Sequence, residues 1–214
     1  MHIPDGILPV PVTVAGYAAT AAVTWYSVRQ INQKANPRAE VPKASLLTAA
    51  FFVASWIHIP VPPASVHLVL NGMMGAVLGW FAFPAILIGL FFQAVMFQHG
   101  GLTTLGVNAL IMGVPALAAH GIFRLRKLGK GDVSRVKTAV AGFAGGGMAV
   151  MLSVALFAGI LITNIPADID AATERAAIIT LAAAHLPLLA VEGTVTAALA
   201  VFIQRVRPGL LEGV

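Results

Sequence analysis

The sequence predicts an all-α membrane protein, a bundle of about seven transmembrane helices forming one domain over residues 1–214. Three observations carry that expectation. The 214-residue chain is 58% hydrophobic and only 10% charged, with a mean hydropathy of +0.89. Soluble domains carry about 25% charged residues, so this chain lacks the charge to cover a water-facing surface. Apolar runs of bilayer-spanning length recur without the alternating ten-residue strands of a barrel. Finally, the Lys and Arg residues gather in three short stretches, as they do in cytoplasmic loops.

Taken in order, the apolar segments are roughly 8–28, 44–59, 67–83, 84–98, 105–123, 138–163 and 175–203. The first ends at the basic loop "RQINQKANPRAEVPK", which carries Arg29, Lys34, Arg38 and Lys43. The second runs into "WIHIPVPP", where Trp56 and His58 read as an interfacial anchor pair. The third and fourth are parted only by "AFPA" around Pro84, as one broken helix or a tight helical pair. That fourth segment is short for a full span. The fifth follows the glycine-bearing loop "MFQHGGLTTLG", and the sixth follows the basic loop "RLRKLGKGDVSRVK". The acidic stretch "NIPADIDAATER" separates the sixth from the seventh, which ends at the basic "RVRP".

Placing the three basic stretches in the cytoplasm puts the N-terminus outside and the C-terminus inside, and leaves the acidic loop outside. The net charge of +5 is then explained by topology, and nucleic acid is not expected as a partner. The absence of Cys excludes a disulfide framework and a thiolate metal site. The start lacks the charged region and cleavage site of a signal peptide, so it reads as a mature terminus. We find no soluble domain, internal repeat or phosphate-binding loop, which argues against an intrinsic ATPase.

This topology sorts the histidines. His2, His58, His67 and His99 fall on the outer side, His120 near the cytoplasmic end of the fifth segment, and His185 within the last segment. A histidine at a helix end more often caps or anchors than ligates, and His58, His99 and His120 each admit that reading. The terminus "MHIPDGILP" is different. The free amine of Met1, the amide nitrogen of His2 and its Nδ1 close adjacent five- and six-membered chelate rings. A deprotonated amide nitrogen in a plane favours Ni(II) and Cu(II). One position remains for a further nitrogen, and His67 leads several candidates because "PASVHLVLNG" sets it at a helix start. Asn71, at i+4, is then expected to share its face and to orient the ring.

The Pro4-Asp5-Gly6 turn can fold the terminus back toward the bundle, with Asp5 accepting from backbone amides. Gln93, Thr103, Thr104 and Asn108 read, with Asp5, Asn71 and His99, as residues that support the ligands or fix the loops. Within the last segment, His185 and Glu192 share a helix face at i+7 and lie below the outer site. Polar groups at such depth tend to be functional, and coupling or a structural hydrogen bond is expected of them before metal ligation.

Together, "MHIPDGILP", "IPVPPASVHLVLNG", "FQHGGLTTLGVNALIMG" and "HLPLLAVEG" resemble the NikM/CbiM family, the substrate-binding membrane subunits of energy-coupling-factor transporters for nickel and cobalt. The resemblance covers nearly the whole chain. It implies seven helices, with the N-terminal segment inserted into the bundle from outside. It also implies metal binding through the Met1 amine, the backbone nitrogen and imidazole of His2, and the imidazole of His67. Partners implied are cytoplasmic ATPases, a transmembrane coupling protein and often a small accessory membrane subunit. Two departures stand out: Pro63-Ala64-Ser65 ahead of the ligand histidine, and His58 where an asparagine is common. The start "MHIPDG" looks more like the nickel branch.

The expectation is therefore a metal-capturing importer subunit in the plasma (inner) membrane of a bacterium or archaeon. It has no enzymatic activity and no cofactor beyond its cargo, Ni(II) or Co(II). The alternative is a stand-alone proton-coupled carrier using His185 and Glu192. A membrane metalloenzyme is disfavoured, because planar all-nitrogen ligation is poor for Lewis-acid chemistry and no general base stands beside an open position.

Overall fold

The computed structural model describes residues 2–54, 57–61, 64–128, 133–167 and 169–211. Met1 and Pro63 lie outside these residues, as does the side chain of His58. The helices are α1 (Val10–Asn32), α2 (Val41–Ala54), α3 (Asn71–Leu78), α4 (Ala82–Phe97), α5 (Leu105–Arg124), α6 (Arg135–Thr163), α7 (Ala171–Ala184) and α8 (Leu186–Val206). A short hairpin, β1 (His58–Val61) and β2 (Ala64–His67), sits between α2 and α3. Among the described residues, four stretches are long and apolar enough to cross a bilayer: Asn71–Phe97, Leu105–Lys127, Arg135–Thr163 and Ala171–Val206.

The fifth and sixth apolar segments became α5 and α6 nearly residue for residue. The second did not persist as helix to residue 59: α2 stops at Ala54, and His58–Val61 pairs antiparallel with Ala64–His67 in the register His58↔His67. Prolines at 60 and 62 remove amide donors that a helix would need. The third does not begin as helix at 67. His67 closes β2, Leu70 takes a left-handed backbone (φ 53), and the helix starts only at Asn71. Nor does the third segment part from the fourth at Pro84. The break falls at Gly79, whose φ of 60 suits a residue without Cβ. Pro84 lies in the first turn of α4, where its missing N–H costs nothing. The last segment divides at His185, which ends α7 and leads into α8.

A straight helix over the 27 residues Asn71–Phe97 would separate its ends by about 40 Å. Yet His67, just ahead of α3, and His99, just behind α4, place ligand atoms within 4.8 Å of each other. The chain therefore descends in α3, reverses through the 3-10 turn Gly79–Phe81, and returns in α4. All eight residues of α3 are buried, and the helix is sheathed by α5, α6 and α8. α6 and α8 lie antiparallel at close range, since a Cβ on Gly146 would fall 2.7 Å from the Glu192 carbonyl oxygen.

The bundle thus has two distinct ends. One holds the N-terminal segment, the approach to α3, the end of α4 and the start of α5. The other holds the ends of α1, α5 and α8, where Arg126 donates to the Leu211 carbonyl (2.9 Å), Lys43 to that of Leu210 (2.9 Å), and Lys34 lies over the Phe81 ring.

Candidate metal centre

At the first end three histidines converge. The rings of His2 and His67 stack at a centroid distance of 5.3 Å and 29°. His99 meets His2 edge-on at 4.3 Å and His67 at 5.6 Å. One ligand atom from each lies within 4.8 Å of the others. A metal bound about 2.0–2.1 Å from each nitrogen sets opposite ligands about 4 Å apart, so a small contraction completes the site.

Each ring is prepared for ligation differently. His67 is buried, and its Nδ1 lies 2.9 Å from the Leu68 carbonyl. The carbonyl can only accept, so Nδ1 carries the hydrogen and Nε2 presents the lone pair. The ring nitrogens of His2 are sealed from solvent without a well-formed hydrogen bond, with the Gln93 amide acting on the ring. Burial, followed by nearby positive charge, holds the His2 pKa well below its ordinary 6.5. The imidazole is therefore neutral at physiological pH, the state a metal requires. His99 is aimed back over the bundle because α4 ends on a left-handed Gln98 (φ 54).

The N-terminal segment is clamped. Ile3, 1% exposed, is held as if in a β-ladder: its amide donates to Asn108 Oδ1 and its carbonyl accepts from Asn108 Nδ2, both at 2.9 Å. Thr104 Oγ1 adds a bond of 2.6 Å to the same carbonyl. Asp5 accepts from the amides of Leu102 (3.1 Å) and Thr103 (2.8 Å) and from the Thr103 hydroxyl (2.5 Å). That hydroxyl, with the amides, holds the Asp5 pKa below its ordinary 3.8. Gly101 leaves the space for this contact, since a Cβ there would fall 2.0 Å from Asp5 Oδ1.

The structure thus brings His2, Asp5, Gln93, His99, Thr103 and Asn108 into one constellation with His67. Asn71 is placed otherwise. Because residues 68–70 are not helical, it has no i+4 relation to His67. Its Nδ2 instead donates to Ser153 Oγ (2.8 Å) and the Met112 carbonyl (3.1 Å), tying α3 to α6 and α5. His185 is not on one helix with Glu192, and its Nδ1 lies 2.7 Å from the Leu181 carbonyl. Glu192, fully buried, accepts from the backbone amides of Val69 and Leu70. It therefore sits immediately behind the His67 strand, not far below the site. His120 lies at the opposite end, 5.6 Å from the Trp80 ring. Sequence reasoning missed Tyr17, whose hydroxyl donates to the Leu102 carbonyl.

Residues 2–210 match the family described as the cobalt uptake substrate-specific transmembrane region, CbiM. The chain is 34% identical, in an alignment of 225 positions covering 99% of its length, to the fused nickel transport protein NikMN of Rhodobacter capsulatus. It is 31% identical, in an alignment of 222 positions covering 99% of its length, to the cobalt transport protein CbiM of Geobacter sulfurreducens. It spans under two thirds of either relative, 64% of the first and 61% of the second. The crystal structure of a transition metal transporter superposes with a TM-score of 0.73 at 24% identity, covering 96% of this chain and 93% of that one, which establishes a shared fold.

Proposed function

The chain belongs to the CbiM family of cobalt uptake substrate-specific transmembrane regions, and from that premise we propose that it captures nickel or cobalt for an ATP-driven importer. The observation that carries this reading is the trio of buried His67 and half-buried His2 and His99, fed by a clamped N-terminal segment. In the bound state, the Met1 amine, the His2 amide nitrogen and His2 Nδ1 supply three nitrogens of a plane. His67 Nε2 supplies the fourth, with His99 flanking it. Such a plane favours nickel over cobalt.

The sequence contains no nucleotide-binding loop, so the energy comes from partners. These are cytoplasmic ATPase subunits, a transmembrane coupling subunit and, in some assemblies, a small accessory membrane protein. With α3 and α4 antiparallel and α7–α8 taken as one passage, the chain crosses the membrane seven times. The positive-inside rule then sets the histidine end outside and the C-terminus in the cytoplasm of a bacterial or archaeal plasma membrane. A stand-alone proton-coupled carrier using His185 and Glu192 is less well supported. Both carboxylate oxygens of Glu192 accept backbone amides, and the His185 Nδ1 is engaged with Leu181.

Titration of the purified chain with Ni(II) tests the site. One equivalent is expected to bind with the absorption band of planar, diamagnetic nickel. His67→Ala is expected to weaken binding on the order of a hundredfold, about 2.7 kcal/mol. An octahedral nickel spectrum, or binding indifferent to His67→Ala, refutes this reading.

A further inference from the structure

The structure assigns to Glu192 the role of positioning residue for the metal ligand His67, acting through the single peptide group that joins Leu68 to Val69. The inference rests on the proposed site and goes beyond its ligand set. The carbonyl of that peptide accepts the Nδ1 hydrogen of His67 at 2.9 Å. The amide of the same peptide, the N–H of Val69, donates to Glu192 Oε1. The next amide, of Leu70, lies 3.0 Å from both carboxylate oxygens. The ligand ring, one planar peptide and one carboxylate thus form a continuous chain of hydrogen bonds.

Two consequences follow from elementary chemistry. The peptide is rigid and planar, so fixing its N–H also fixes the direction of its C=O. Glu192 therefore determines where the His67 ring is held and which of its nitrogens bears the hydrogen. A carboxylate on the N–H also polarises the amide and makes its carbonyl a stronger acceptor. That strengthens the pull on Nδ1–H and raises the donor strength of Nε2, as carboxylates do in direct contact with metal-bound histidines. Here the carboxylate acts one peptide removed.

The surroundings fit this role. Glu192 is 0% exposed and Val69 1%, so no water competes for these bonds. Leu70 is a non-glycine residue at φ 53, a conformation that brings successive amides round to one anion. Without the carboxylate, two buried amides would lose their partner. Glu192 stands on α8, which is packed tightly on α6, so the ligand strand is tied to the most extensive helix pair in the bundle.

Glu192→Gln tests this, because it keeps the side chain's length and one acceptor while removing the carboxylate. The variant is expected to show wild-type helical circular dichroism without metal and to bind Ni(II) about tenfold more weakly. At saturating nickel its visible band is expected to move to longer wavelength, the mark of a weaker nitrogen donor at His67. A merely structural residue would not move that band. Wild-type affinity with an unshifted band overturns the inference, and so does a variant that loses its helical signal before metal is added. His67→Ala, run in parallel, separates the two failures. If it leaves nickel binding intact, the site itself is wrong. If it abolishes binding while Glu192→Gln changes nothing, only the role of Glu192 falls.

Discussion

The chemistry at residue scale turns on which nitrogens are within reach of one ion. Adding a single residue ahead of Met1 converts the amine of the proposed chelate to an amide. Nickel affinity is expected to fall on the order of a hundredfold with the helical circular dichroism unchanged, as measured by metal titration; undiminished binding would exclude the amine as a ligand. His99→Ala is expected to cost about tenfold in affinity while keeping the planar nickel spectrum, since the proposed site has His99 flanking the plane. His120→Ala should leave binding untouched, because that ring packs on Trp80 at the other end. Asp5 carries a pH signature. Its pKa lies below the ordinary 3.8 because Thr103 and the adjacent amides stabilise the charged form. Its contribution to stability is then present above that ordinary value and is lost as pH falls through the lowered one. The difference in melting temperature between wild type and Asp5→Ala should therefore be constant from neutral pH to about pH 5 and shrink below the ordinary carboxylate value. A difference that instead changes around neutrality points to another group. Residue chemistry of this kind was partly legible in advance. The turn Pro4-Asp5-Gly6 and the loop "FQHGGLTT" announced a folded-back terminus and its acceptor. The role of Leu68 was not legible, because any residue has a carbonyl.

Among the elements, legibility followed the flanking punctuation. α5 and α6 were readable because a glycine-rich turn or a charged loop bounds each apolar run. The stretch 67–83 was not, because a segment buried on every side shows no periodicity to separate helix from extended chain. The residues that end its regular structure act from elsewhere: Glu192, 122 residues further on, takes the amide of Leu70. The hairpin before it was equally hidden, since its strands are four residues each and its prolines suited an irregular loop as well. The N-terminal clamp is the element that most directly controls the site, and Gly101 tests it. In Gly101→Ala the new methyl would fall 2.0 Å from Asp5 Oδ1 and 2.7 Å from the Asp5 amide nitrogen, too close for either to stay. The segment should detach while the helices persist. Digestion by an aminopeptidase is expected to become faster than in wild type, and nickel affinity should fall by about tenfold or more. Equal digestion rates would mean that Asp5 does not hold the terminus.

For the molecule as a whole, the two ends of the bundle carry opposite chemistry: imidazoles and amide-bound carboxylate at one, arginines and lysines at the other. Charge bias orients membrane helices because cationic loops resist translocation, so the basic end should face the cytoplasm. The absence of cysteine makes this directly measurable, since one introduced thiol is the only thiol in the chain. Ser134 caps the start of α6 at the basic end, accepting from the Lys137 amide at 3.2 Å. Ile169 is exposed in the stretch between α6 and α7. α6, 29 residues long and so about 44 Å from end to end, separates the two positions by more than a hydrocarbon core of about 30 Å. In intact cells a membrane-impermeant maleimide is expected to label Ile169→Cys and to spare Ser134→Cys until the membrane is opened. Labelling in the reverse order would place the histidine trio on the cytoplasmic side, where it would meet metal already imported. Labelling of both in intact cells would show that α6 does not span the membrane, and with it the seven-passage arrangement would fail.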